Sequence, residues 1–180
     1  MDLVMSVGSL PTLIKSAYSW NDQGRIARES LFIATQQGQI YQIEGKKIIL
    51  FLDISDQVIK LDPNYDERGI LGMEFHPNFH TNGIFYLHYT ERRSSTKDNS
   101  PDPNIGEWID RSKFDHVDTV EEWQVSRGKI RTIVRMKRPF KNHNGINTLY
   151  WDQGYLLLAT GDGGDSYDPF NLSQDRNSIY

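Results

Sequence analysis

Apolar residues fall along the chain in short runs broken by polar turns, and no window of helical length keeps an apolar period of about 3.6 residues. β-Branched and aromatic side chains mark strands at residues 31–35, 39–43 and 47–52, separated by Gln37-Gly38 and Glu44-Gly45, which suit hairpin turns. These three read as a meander. Strands follow at 70–75 and 84–90, joined by a turn through Asn82-Gly83, and at 117–125 and 129–136 around Arg127-Gly128. A last pair, 146–151 and 155–160, flanks the tight turn Asp152-Gln153-Gly154.

One unit recurs in this pattern. Trp20-Asn21-Asp22-Gln23-Gly24 leads into an apolar run ending at Thr35, Trp151-Asp152-Gln153-Gly154 leads into one ending at Thr160, and Phe75 leads through a longer turn into one ending at Thr90. An aromatic strand end, a polar turn and an apolar strand closing on threonine repeat three times. Repeats of this size in an all-β chain predict a β-propeller with four-stranded antiparallel blades. A β-sandwich is the alternative, but it leaves the repeat unexplained. Residues 1–180 are read as one partial propeller domain, with 91–114 as a surface loop inserted between neighbouring strands, because that stretch is polar and proline-rich and strand patterns resume after it. Trp108 and Phe114 are candidates to pin the loop to the body.

Composition narrows the function classes. With 37% hydrophobic residues the 180-residue chain can bury a core, and its 24 acidic against 20 basic groups leave no electrostatic footprint for nucleic acid. There is no cysteine, so disulfide, thiol and cysteine-zinc chemistry are out. The first thirteen residues lack a basic start and a long apolar stretch, making a poor signal peptide, and no apolar run reaches the length of a membrane span. A soluble protein of unassigned compartment is expected.

Candidate chemistry concentrates between Lys141 and Pro169. A histidine sits in the polar turn Asn142-His143-Asn144-Gly145, and after the last strand comes Gly161-Asp162-Gly163-Gly164-Asp165-Ser166-Tyr167-Asp168. Taken by itself, a histidine such as His143 in a polar turn more often makes a structural hydrogen bond than does chemistry. Asp162, Asp165 and Asp168 could offer oxygens to calcium, although they lack the spacing of an EF-hand, and aspartate with glycine also simply makes tight turns. His76, before Pro77, reads as a structural turn residue. His80 and His88 read as surface or inter-blade residues, and His116 carries no signal. The aromatics Trp20, Phe75, Tyr86 and Trp151 at strand ends read as packing between blades more than as a sugar platform.

The run Asp66-Glu67-Arg68-Gly69-Ile70-Leu71-Gly72-Met73-Glu74-Phe75-His76-Pro77-Asn78-Phe79, followed by Asn82-Gly83-Ile84-Phe85-Tyr86-Leu87-His88-Tyr89-Thr90, closely resembles a signature of the glucose/sorbosone dehydrogenase family. The Asn142 to Gly145 turn, the Thr160 to Gly164 loop, and Asp168-Pro169 with Asn171 and Gln174 match a second signature, and Thr35 to Ile40 with Phe51 to Ile54 looks like the family's first blade. Soluble quinoprotein sugar dehydrogenases and Hedgehog-interacting-protein-like propellers share this pattern. The resemblance implies a six-bladed propeller, of which this chain would hold about three blades, binding pyrroloquinoline quinone (PQQ) with calcium. It implies oxidation of an aldose at the anomeric carbon with hydride passing to the quinone, partnered by a sugar substrate and an electron acceptor. His143 matches the catalytic base; Glu67, Arg68 and Asn142 would line the substrate and cofactor site, with Arg68 contacting a carbonyl or carboxylate. Activity is not expected of this chain alone, and exposed blade faces predict self-association or pairing with a second half-propeller chain. The other functional class the resemblance allows is a non-catalytic propeller that binds a protein or glycan through its loops.

Overall fold

The computed structural model describes residues 11–20, 26–92, 114–145, 149–171, 173, 175 and 176, with backbone alone for 11–20, 26–29 and 44. Trp108, Gln174 and nearly all of the 91–114 insertion lie outside the described residues, as does the side chain of Trp20.

The first sheet runs β1 (Pro11–Trp20), β2 (Ile26–Thr35), β3 (Gln39–Glu44) and β4 (Lys47–Asp53), all antiparallel and hydrogen-bonded in chain order. The expected three-stranded meander therefore has a fourth strand in front of it. β1 gives no apolar run, since Lys15, Ser16 and Ser19 interrupt it, and its pairing to β2 shifts register near Pro11 and Trp20. It occupies the edge, where proline is tolerated.

The second sheet repeats the order with β5 (Ile70–Phe75), β6 (Ile84–Thr90), β7 (His116–Gln124) and β8 (Gly128–Arg138). Its β5–β6 connection is more than a turn. One turn of helix, α1 (Phe79–Asn82), intervenes and is closed by Gly83, whose φ of 63° is left-handed and whose N–H donates to the Phe79 carbonyl at 2.7 Å. His76 serves that turn, its Nδ1 lying 3.0 Å from both Asn78 N and Asn82 Nδ2. A two-stranded hairpin, β9 (Leu149–Asp152) with β10 (Tyr155–Leu158), completes the described strands. These are two β-propeller blades and the opening hairpin of another. The aromatic, turn and threonine repeat is the first hairpin of each: β1–β2, β5–β6 and β9–β10.

β6 is buried on both faces because it lies between two seams. Phe85, Leu87 and Tyr89 point toward the first sheet and join Phe32, Ile40, Ile54, Ile70, Met73, Phe75 and Trp123. Phe32 and Phe75 rings meet at 4.7 Å and Phe75 and Phe79 at 4.5 Å. On the other face Tyr86 packs with Val120, Met136 and Leu149, and its ring stacks on Trp151 at 5.7 Å and 18°. Phe75, Tyr86 and Trp151 are thus packing residues between sheets. Fully burying side chains of this size is worth about 1.5–3 kcal/mol each, so the two seams fix how the sheets meet, and with them the loops at their ends.

Candidate functional site

One end of the sheets gathers the chemistry: the loop before β5 (Asp66, Glu67, Arg68), the start of β7 (Asp115, His116), the turn after β8 (Asn142 to Asn144) and the loop after β10 (Asp162 to Asp165). Gln36, just past β2, anchors the first of these, its Nε2 donating to the carbonyls of Asp66 and Arg68 at 2.7 Å each. Gly69 makes this possible: it has φ 114°, and a Cβ there would lie 2.3 Å from the Gln36 carbonyl oxygen.

His143 stands in the left-handed region, φ 58°, an uncommon conformation for a non-glycine residue that persists only where its surroundings hold it. Three contacts do so. Its backbone N–H donates to Glu67 Oε2 at 2.5 Å, Asn142 Oδ1 accepts from Asp165 N at 3.0 Å, and the chain at Gly161 runs so close beneath that a Cβ there would lie 1.6 Å from the His143 carbonyl oxygen. The ring Nδ1 lies 2.8 Å from Asp162 Oδ1, which also accepts from Gly164 N at 3.1 Å. A carboxylate oxygen accepts only, so in the neutral imidazole Nδ1 carries the proton and Nε2 has the lone pair. The His143 side chain is 44% exposed.

Of the predicted site residues, the structure brings His143, Glu67, Asn142 and Asp162 into one constellation, with Asp162, expected as a candidate calcium ligand, bonded to the His143 ring. Arg68 has a different setting. Its guanidinium bonds Asp66 Oδ2 at 2.7 Å and Asp115 Oδ1 at 3.0 Å, with only 13% of the side chain exposed. Hydrogen bonding to Asp66 raises the Arg68 pKa further, and although burial by itself raises the Asp66 pKa, the bonds from Arg68 and from backbone N–H groups lower it overall. Asp162, Asp165 and Asp168 serve separate local bonds: Asp165 accepts from Ser166 N at 2.8 Å, and Asp168 accepts from Ser173 N and Oγ at 3.1 and 2.7 Å. Among the described residues no group of three His, Cys, Asp or Glu side chains is placed to hold a metal.

Sequence reasoning missed what lies under the His143 turn. His88, Thr90, His116, Asp118, Arg138 and Asn144 are all buried there, none more than 1% exposed. Asp118 is the hub, accepting from Arg138 Nε at 2.8 Å and Thr90 Oγ1 at 2.7 Å, with His116 Nε2 at 3.5 Å and His88 Nε2 at 3.8 Å. Burial opposes its charge, yet the histidines and Arg138 outweigh that and hold its pKa well below the ordinary carboxylate value. An exposed pair such as Arg131–Glu122, with Arg131 65% exposed, is screened by water and contributes little, whereas losing one partner of a buried pair costs about 3–5 kcal/mol. The buried cluster therefore governs this end of the blade. Its signal in the sequence is the i, i+2 spacing of His116 and Asp118, which puts both on one strand face.

A β-propeller whose blade-end loops present a carboxylate-oriented histidine is the class of protein that this fold and site define. The chain belongs to the glucose/sorbosone dehydrogenase family, which residues 23–180 match. It is 28% identical over 156 residues to HIPL1 protein of Arabidopsis thaliana, covering 72% of this chain and 21% of that one. It is 30% identical over 146 residues to human Hedgehog-interacting protein, covering 75% of this chain and 19% of that one. A solved structure from Thermus thermophilus, described as an oxidoreductase (glucose dehydrogenase), aligns with a TM-score of 0.49 at 16% identity, over 83% of this chain and 40% of that one. The chain spans between 17% and 26% of the length of the curated relatives it matches. No helix among the described residues is long and apolar enough to cross a membrane.

Proposed function

We propose that the His143 site takes a sugar and that His143 removes the proton of one of its hydroxyl groups, the first event of an aldose oxidation. The observation that carries this reading is the 2.8 Å pair between His143 Nδ1 and Asp162 Oδ1, which leaves Nε2 as the base in a member of the glucose/sorbosone dehydrogenase family. The hydroxyl proton passes to Nε2, and the imidazolium so formed faces the Asp162 carboxylate, which stabilises it. Asp162 on the ring and Glu67 on the backbone N–H give the His143 turn carboxylate oxygens suited to hydroxyl donors. PQQ with calcium, which the family implies, would supply a two-electron acceptor for the hydride. The described donor set does not by itself fit that polyanionic quinone: the acceptors around His143 are carboxylates, Arg68 is shared between Asp66 and Asp115, and Lys141 lies 3.8 Å from Asp62. The proton transfer therefore rests on the chain's own residues alone.

The direct test loads the purified protein with PQQ and calcium and follows dye reduction with aldoses alongside the melting temperature. Turnover, abolished by His143→Asn, supports the reading; asparagine tolerates the left-handed backbone at this position. The absence of both turnover and any rise in melting temperature would sink it, because a ligand that binds the native state must stabilise that state.

A second reading has its own support, the 30% identity to Hedgehog-interacting protein. In that reading the propeller binds a protein through its loops and exposed apolar faces, and His143 has no catalytic role. Binding of a partner protein that survives His143→Asn, in a chain that turns over no aldose, favours it.

A further inference from the structure

His116 connects two parts of the site that come from different elements. The Asn144 side-chain Nδ2 donates to the Lys141 carbonyl at 3.0 Å, and a carbonyl only accepts, so Asn144 Oδ1 is the atom turned toward His116 Nε2 at 3.1 Å. The other ring nitrogen, Nδ1, lies 2.8 Å from Asp115 Oδ1, the same oxygen that binds Arg68 at 3.0 Å. Each ring nitrogen thus faces an acceptor and must donate to it. The ring is 1% exposed, with Asp118 Oδ1 at 3.5 Å as a further negative neighbour. Arg138 closes the surround, its Nε on Asp118 at 2.8 Å and its NH2 3.4 Å from the Asn144 carbonyl.

We propose that His116 is a positioning residue for His143, a clamp that donates from both ring nitrogens and fixes the His143 turn against the loop carrying Glu67 and Arg68. Asn144 is the next residue after His143, and Glu67 is the acceptor for the His143 N–H. The strained backbone at His143 is therefore held from both sides by groups tied, through Asp115 and Arg68, to one loop. Releasing the Asn144 arm frees the turn to relax, and the ring loses its fixed approach to Asp162. This inference rests on the reading of His143 as the base, but its test needs neither cofactor nor turnover.

Two substitutions separate the arms of the clamp. In His116→Gln the side-chain amide can occupy the place of Nε2 and keep the bond to Asn144. In His116→Asn it can occupy only the place of Nδ1, toward Asp115. Long-range proton–nitrogen spectra of the full chain labelled at histidine read the His143 tautomer, and hydrogen exchange reads its amide. His116→Asn is expected to replace the Nδ1-protonated pattern of His143 by an averaged one and to speed its amide exchange about 10-fold, while His116→Gln stays within about 2-fold of wild type. If both variants leave His143 as it is in the wild type, or disturb it equally, the clamp is overturned and His116 is merely a buried structural residue. Should His116→Asn fail to fold, Asn144→Ala cuts the same arm from its other end. That variant must shift the His143 ring signals in the same direction, and unchanged signals overturn the proposal. Failure of the oxidation reading would leave all of these readouts intact.

Discussion

The two faces of β6 look onto two different seams. Toward the first sheet the seam closes on rings: Phe32, Phe51, Phe75, Phe79 and Phe85 meet edge to face or tilted, Trp123 stacks on Phe85, and Phe85 is only 2% exposed. Toward the hairpin the seam is split. Its apolar half leaves a cavity of about 370 Å³ lined by Tyr86, Val120, Ile133, Val134, Leu149 and Trp151 among others, and its other half is the buried cluster of His88, His116, Asp118 and Arg138. The looser seam is also the one that carries the candidate site, so stability and function are drawn from opposite faces of the same strand.

The sharpest way to break that comparison is to remove bulk from the tight seam and add it to the loose one. Phe85→Ala should cost about 3–5 kcal/mol, because the surrounding rings cannot collapse into the space. Val120→Ile, which adds one methylene toward the cavity, should gain about 0.5–1 kcal/mol. Urea midpoints at constant slope measure both. If Val120→Ile destabilises as an overpacked core would, the second seam is as closed as the first and the contrast fails.

The tight seam was the legible one. Strand positions at 70–75 and 84–90 stand where the hydrophobic pattern puts them, and the aromatic repeat marks the first hairpin of each sheet. β1 was not legible, since a strand at an edge needs only one apolar face and tolerates lysine and serine. The loop motifs pointed to His143, Glu67 and Asn142 through resemblance alone. What the sequence could not show is who pairs with whom: Asp162 reaches His143 from 19 residues away, Asp115 reaches Arg68 from 47, and Asn144 reaches His116 from 28. Such partners are set by how sheets pack. That is why Arg68 reads as a cofactor ligand in sequence and stands between two aspartates in the fold.

A smaller effect separates the charged half of the loose seam from its apolar half. The folded-state pKa of Asp118 is depressed well below 3.8, so its charge stabilises the fold above the unfolded pKa and that stability is lost as pH falls toward the folded value. Asp66 acts in the same sense. The wild-type urea midpoint should therefore fall as pH drops below about 4. Asp118→Asn, less stable at neutral pH, should show a shallower fall. An identical acid slope in both proteins would place the sensitivity elsewhere than in the cluster beneath His143.

The smallest effect on stability is expected on the far side of the hairpin, where the comparison can be extended outward. Leu157 pairs across the hairpin with Tyr150, and with Tyr155 they form an outward apolar face, 48%, 59% and 72% exposed, while Leu156, Leu158 and Trp151 turn inward to the second sheet. Leu157→Lys removes no packed contact of the core and should change stability by less than about 0.5 kcal/mol. The same substitution puts a charge into the one strand face of the hairpin that resembles the inner face of a blade, so it should abolish any concentration-dependent association of the chain in sedimentation. Association that survives Leu157→Lys would mean that copies meet elsewhere. The exposed run Ile48, Ile49 and Leu50 on β4 would then be the surface to change next, since it is the apolar edge of the opposite end of the sheet series.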